Sequence, residues 1–500
     1  TNDIDQTGFA DTLLQRVFRL TVLCSFIFIA SGAFANPVEL GHRRELFVDN
    51  FLLASKTNVQ FALHEPHDEG AVLPFDAPWE GAFCAYCTVL YNENGFRVYY
   101  RGKGDSTADG VGEVTCVAES NDGKKWTKPK LGFFEIAGSK ENNVVLTEAP
   151  FTHNFSPFLD SNPDVRAGEK YKAICGDQKA GLKIFASPEG LRWKPMPDKP
   201  VLTTNDVAFK NMFDSQNVAF WSQTENCYLL YFRVYTNRFR RIARAESKDF
   251  FKWNNIRLMD YRSAGALPTP IEHLYTSQTH PYFRAPQIYV ALAARFMLGR
   301  QVLTADEAKA IGVHPKYFKD ISDAVLLTSR GGDIYDRTFM SAFIKPGIGP
   351  ENWVSRTTYP ALNEVQTGPT EMSIYVNQNY AQPTAHLRRY SLRLDGYSSL
   401  RATYEGGEFV TRPLTFSGNR LLLNFSTSAA GGIKIAIWDA NGTPVPGFTF
   451  KDSVESIGNE IERAARWKNG PDISKLAGQT VQLHFKMKDA DLFAIQFADK

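Results

Sequence analysis

The chain has 500 residues, 43% of them hydrophobic and 13% aromatic, enough for a large core and more than one domain. Its 56 basic and 54 acidic residues leave a formal charge of only +2, which argues against a nucleic-acid or anionic-membrane partner. No HExxH spacing, GxSxG elbow or glycine-rich phosphate loop occurs, so no metal and no cofactor is expected at the site, with a structural calcium left open.

Residues 1–35 read as an export leader. Arg16 and Arg19 form a positive start, Leu20–Ala30 an apolar stretch too short to span a bilayer comfortably, and Ala33-Phe34-Ala35 a small-x-small cleavage site. The mature protein is therefore expected outside the cytoplasm, secreted or periplasmic, with no membrane attachment after cleavage. Cleavage removes Cys24 and leaves cysteines 84, 87, 116, 175 and 227. Cys84 and Cys87 form a CxxC, but in a strand-like run where residues three apart point to opposite faces, so all five read as structural.

A phrase then recurs three times: Ser120-Asn-Asp-Gly-Lys-Lys-Trp126, Ser187-Pro-Glu-Gly-Leu-Arg-Trp193 and Ser247-Lys-Asp-Phe-Phe-Lys-Trp253. Each copy follows a run rich in β-branched and aromatic residues. The serine and the acid turn the chain, and the tryptophan opens the next strand and packs inward. The copies start 67 and 60 residues apart, and a supersecondary unit repeated at this period predicts the blades of a β-propeller. Arg44–Ala54 reads as the strand that completes the last blade. Blade one is expected from Trp79 to Trp126, blade two from His153 to Trp193, blade three from Phe213 to Trp253. Blade four is interrupted by a short capped helix at Thr304–Ala310, and blade five starts near Glu371. From about residue 400 short alternating strands and the Asp439-Ala440-Asn441-Gly442 turn predict a β-sandwich. The fold class is all-β, with a five-bladed propeller over 36–398 and a C-terminal sandwich over 399–500.

Inner strands of a propeller converge on its axis, so polar residues at blade openings are the candidates for chemistry. Asp160, Asp214 and Glu371 are the expected catalytic carboxylates, because converging acids push one another's pKa values apart and so provide the acid and the base or nucleophile of glycosidic cleavage. Glu371, beside apolar Pro369 and Met372, is the expected general acid, and Asp160 the base or nucleophile. Glu80 is a reserve acid, and Trp79, His153, His280, Arg284, Asp323 and Arg337 are candidate substrate contacts. The insertion at 299–320 is expected at the pocket rim.

The hairpin Ser247-Lys-Asp-Phe-Phe-Lys-Trp253 is similar to the Ser-x-Asp-Leu-x-x-Trp hairpin of five-bladed propeller glycoside hydrolases of families 32 and 43. The chain resembles secreted bacterial proteins labelled family 32-like in the stretches Leu46–Asp49, Phe213–Asn217, His280–Pro286 and Gly368–Met372. The resemblance implies a glycosidase acting on an extracellular carbohydrate. The fructosidase Trp-x-Asn-Asp-Pro-x-Gly, Arg-Asp-Pro and Glu-Cys motifs are absent, so one alternative is a non-catalytic carbohydrate-binding propeller; a sialidase-like enzyme is the other, since sialidases carry Ser-x-Asp-x-Gly-x-x-Trp boxes, although here the glycine follows the acid directly.

Overall fold

The computed structural model describes residues 36–103, 112–263 and 267–499; the expected leader and Cys24 lie outside them. Five sheets form the blades, antiparallel throughout except where Asp260–Ser263 runs parallel to Ile334–Asp336 in blade four. Blade one is Ala85–Asn92, Gly95–Gly102, Val114–Ser120 and Val144–Leu146, from the axis outward. Blade two is Ser156–Leu159, Tyr171–Asp177, Gly181–Ser187 and Lys194–Pro195. Blade three is Val218–Ser222, Cys227–Thr236, Phe239–Ser247 and Asn254–Leu258. In blade four, Leu274–Thr276 and Thr279–Tyr282 both pair with the long strand Ala285–Met297, followed by Ile321–Ser329 and Ile334–Asp336.

Blade five begins earlier than expected. Its inner strands are Tyr359–Pro360 and Val365–Gln366, and Glu371–Gln378 is the second strand. His386–Arg393 follows, and His67–Pro74 pairs with it from outside. The ring is thus closed by His67–Pro74. Arg44–Leu46, expected in that role, instead pairs with Val481–Ala498.

The second body is a β-sandwich drawn from both ends of the chain. Val38–Gly41, Arg44–Leu46, Leu53–Thr57 and Val59–Leu63 join Ser398–Ala402, Gly407–Thr411, Leu414–Phe416, Arg420–Asp439, Asn459–Ala464 and Val481–Ala498 in one ten-stranded network. Its two longest strands run side by side around a core that includes Phe409, Leu423, Ile435, Trp467, Phe485 and Phe497. Residues 38–63 therefore belong to the sandwich rather than to the propeller.

The recurring phrase sits between the third and fourth strands of blades one to three. Ser120 Oγ accepts from Gly123 N at 2.9 Å, and Asp122 accepts from the amides of Lys124 and Lys125 at 2.8 and 2.9 Å. Ser187 and Glu189, and Ser247 and Asp249, repeat the arrangement. The tryptophan then wedges against the preceding blade: Trp126 on Tyr375 of blade five, Trp193 on Tyr99 of blade one. Tyr99 also donates to the carbonyl of Gly190 at 2.8 Å, so the motif links neighbouring blades.

Candidate active site

Every inner strand starts at the same end of the propeller, and a pocket opens there on the axis. Tyr86 comes from the start of blade one's inner strand, His153 and Asp214 from the loops entering blades two and three, Tyr275 and Tyr359 from the inner strands of blades four and five. The second strand of a blade runs antiparallel to the first, so its far end returns to this face. That brings in Arg101 and Asn377 to the pocket and Arg233 beside it. Loops add Arg356, Tyr380 and, from the insertion in blade four, Tyr317.

The inner pocket holds about 130 Å³ and shares His153 and Asp214 with an outer cleft of about 620 Å³ that also reaches Asp177, Lys179 and Arg240. Its floor is a hydrogen-bonded network one step further along the same strands. Gln278 Nε2 donates to Gln216 Oε1 at 2.7 Å and to Pro360 O at 2.8 Å, and Gln216 Nε2 donates to Thr88 Oγ1 at 2.8 Å. The pocket is open at one end only.

Its walls are held in sparsely populated backbone conformations. Tyr86, Phe213 and Arg356 have φ of 54°, 67° and 58°, in the left-handed region that side chains adopt when surrounding structure enforces it, often at functional sites. For the loop carrying Asp214 the enforcing group is Asn154. Its amide nitrogen donates to the carbonyls of Phe213, Ser215 and Gly176, and its oxygen accepts from Gly176 N at 2.9 Å.

The electrostatics are dominated by cations. Glu113, fully buried, accepts from Lys103 at 3.2 Å and pairs with His153 Nδ1 at 3.0 Å, with Arg101 at 3.9 Å. Burial opposes its ionisation, but the His153 hydrogen bond and the Arg101 and Lys103 charges prevail and hold the carboxyl at about 2. Arg101 is fixed by the Phe83 carbonyl at 2.8 and 3.1 Å. Around Tyr275 stand three guanidinium groups, Arg233 at 4.4 Å, Arg356 at 5.1 Å and Arg240 at 5.5 Å from the ring centre. Burial works against ionisation of the Tyr275 hydroxyl, yet Arg356 and Arg233 outweigh it and hold the phenol below its usual value. Asp214, ion-paired with Arg233 and 62% exposed, is the one carboxylate among the described residues lining the inner pocket.

The expected convergence of Asp160, Asp214 and Glu371 does not occur. Asp160 follows the four-residue inner strand that His153 precedes, so it lies at the opposite end, buried against Lys172 at 2.7 Å and the Tyr228 hydroxyl at 2.7 Å. Glu371 starts a second strand whose other end carries Asn377 to the pocket, so it too faces away, paired with Lys124 at 2.9 Å and with Arg389. Its pKa is lowered, since Lys124, Thr367 and Arg389 outweigh the effect of burial, which does not suit a general acid. Glu80 is buried beneath blade one, bonded to Lys128, Tyr100 and the Ala77 amide, and Trp79 donates to Asn143 at 2.7 Å.

Of the other candidates, His153 lines the pocket. His280 is buried at the far end, bridging Glu364 and the Gln278 carbonyl at 2.8 and 2.7 Å. Arg284 lies at the contact with the sandwich, on Asp395 and Glu462. Asp323 pairs with Arg295 at 2.6 Å, and Arg337 is buried against Glu272 at 3.1 Å. These four are structural ties. Residues missed include Arg101, Arg233, Arg356 and Tyr380. A signal existed for the first two: Tyr99-Tyr100-Arg101 and Tyr231-Phe232-Arg233 repeat an aromatic pair followed by arginine at the end of an apolar strand. The five remaining cysteines are free and buried, and burial pushes the Cys84 thiol up to about 12, which removes the thiolate that redox chemistry needs.

The chain is thus a five-bladed β-propeller joined to a β-sandwich, with a blind, arginine-rich and tyrosine-rich axial pocket. No protein-family profile matches it, and no curated protein does. Similar solved structures include a glycoside hydrolase, 12% identical over 66% of this chain and 92% of that one, TM-score 0.44. Another is an N-acetylgalactosamine deacetylase from F. plautii in complex with blood group B trisaccharide, 13% identical over 69% and 96%, TM-score 0.41. A fructofuranosidase from Schwanniomyces occidentalis complexed with fructosylnystose is 11% identical over 88% and 100%, TM-score 0.37. What the pocket does is decided by its own side chains.

Proposed function

We propose that this protein is a glycoside hydrolase that removes a sugar from the end of a carbohydrate chain. The observation that carries the reading is the blind axial pocket, in which tyrosine faces and polar groups from all five blades surround a space closed by the Gln216–Gln278 network. Aromatic faces with a few fixed polar groups suit a sugar ring. A terminal residue would fill the inner pocket and the rest of the chain would lie in the outer cleft.

Asp214 stands where pocket and cleft meet, which is where the scissile bond of such a substrate would lie. Paired with Arg233, it would attack the anomeric carbon or activate water there as the bond to the glycosidic oxygen breaks, that oxygen taking its proton from water in the open cleft. Tyr317 narrows the pocket from the insertion, which favours chain ends over internal bonds. Export through a leader at 1–35, to the outside of the cell or the periplasm, belongs to the same proposal, and N-terminal sequencing of the protein recovered from those fractions tests it.

The test of the activity is release of monosaccharide from a panel of plant and algal polysaccharides. Asp214→Asn should bind the active substrate with little change and lose turnover by about 10³-fold or more. A second reading is a carbohydrate-binding propeller without hydrolysis, favoured by Asp214 being the sole carboxylate among the described residues lining the inner pocket. Saturable binding without product in the parent protein would select it.

A further inference from the structure

The cations around Tyr275 exceed the carboxylates available to them. Arg233 is paired with Asp214, but Arg240 and Arg356 make no ion pair among the described residues. Among the described residues Arg356 rests on π faces, those of Tyr317 at 4.8 Å, Tyr275 at 5.1 Å and Tyr380 at 5.7 Å. Its backbone is held left-handed to place it there. The nearby carboxylate of Asp320 is turned to the Ser355 hydroxyl. Two buried donors, Arg233 Nη1 and Arg356 Nε, and the buried Tyr359 hydroxyl meet no hydrogen-bond partner among the described residues. Buried donors without partners cost free energy, and buried guanidinium groups are ordinarily paired. A set of them gathered around one ring where pocket and cleft meet is the complement of an anion.

We propose that the inner pocket and the cleft beside it bind the anionic group of an acidic sugar, a carboxylate or a sulfate ester, through Arg356 within the pocket and Arg233 and Arg240 at its junction with the cleft. This deepens the glycosidase reading by naming the substrate class, and it rests on that reading only for the anion being carried on a sugar. The anion lies beside the guanidinium groups that gather around Tyr275, where it receives the Arg356 Nε and Arg233 Nη1 donors that find no partner among the described residues. The outer cleft, with Lys179 and Arg240, extends the positive field to the entrance and favours acidic chains over neutral ones.

The experiment uses the whole protein and two minimal probes, inorganic sulfate and acetate, titrated by calorimetry at constant ionic strength against chloride. Saturable binding of at least one is expected. Arg356→Met should weaken it about 10- to 100-fold, the loss of charge-assisted hydrogen bonds to an anion. Arg240→Met, nearer the mouth, should weaken it less and serves if Arg356→Met does not fold. D-glucuronate and glucose 6-sulfate, each against glucose, then tell a carboxylate site from a sulfate-ester site. Absence of saturable binding by both ions, or binding unaltered in both variants, overturns the inference. Ion binding through Arg356 without hydrolysis of any glycoside leaves the inference standing and removes the proposed activity. Turnover of neutral glycosides, unaffected by sulfate and acetate, does the reverse.

Discussion

Replacing Glu113 by glutamine tests how the cationic wall of the pocket is held together. The carboxylate is fully buried and shared by Lys103, Arg101 and His153. Its pKa lies at about 2 against an ordinary 4.5, a distance worth about 3 kcal/mol of stability. Because the folded-state value is depressed, that stability is fully present above about pH 4.5 and is lost as the pH falls toward 2. Glu113→Gln leaves the neighbouring cations without their counter-charge, so the variant should be less stable by about 3 kcal/mol at pH 7. The gap should close on acidification, because the parent loses what the variant never had. Denaturant unfolding of both proteins at pH 7, 5 and 3 measures it. A gap of the same size at pH 7 and pH 3, or no gap at pH 7, would refute the reasoning.

Gly190 has φ of 81°, and a Cβ there would meet the Tyr99 hydroxyl at 2.6 Å; Gly190→Ala should cost about 1–3 kcal/mol by strain and by loss of a hydrogen bond between blades, read as a lower unfolding midpoint with unchanged affinity at the pocket. Asp395 is buried beneath Arg44 and Arg284 and accepts from Tyr282 at 2.8 Å; Asp395→Asn should cost about 3–5 kcal/mol by stranding buried cations and loosen the sandwich on the propeller, seen as faster proteolysis between residues 393 and 400. Deleting Thr304–Val313 should widen the product range and lower the melting temperature modestly, since the helix is capped within itself by Thr304 and Glu307 but packs Ala308 and Val313 on Phe318 and Val354; unchanged products with a large fall in melting temperature would make the segment a support for blade four instead.

The blades were legible because their signal is local. Ser120 reaches Gly123 and Ser247 reaches Phe250 within one turn of chain, so the phrase specifies its own hairpin wherever it stands, and three copies imply a ring. The helix at Ala305–Ala310 was legible for the same reason. The closing strand was not. His67–Pro74 is mostly exposed at the outer edge of blade five and carries no apolar pattern, whereas Arg44–Leu46 is fully buried and reads as the better strand. Which partner each takes depends on strands more than 300 residues further along the chain.

The site divides along the same line. Sequence alone determined that polar residues at blade openings would gather on an axis, and His153 and Asp214 do. It could not determine which end of a strand faces the pocket. His153 and Asp160 flank one short strand, Ser156–Leu159, and both look like polar residues at an opening. Only the closure of the ring decides that one points into the pocket and the other into a salt bridge beneath it. Arg101, Arg233 and Arg356 are equally ordinary as letters, the first two following aromatic pairs and the third standing among serine and threonines. Their meaning arises when blades one, three and five bring them to one space with too few carboxylates to neutralise them, a balance of charge that exists only in the folded ring.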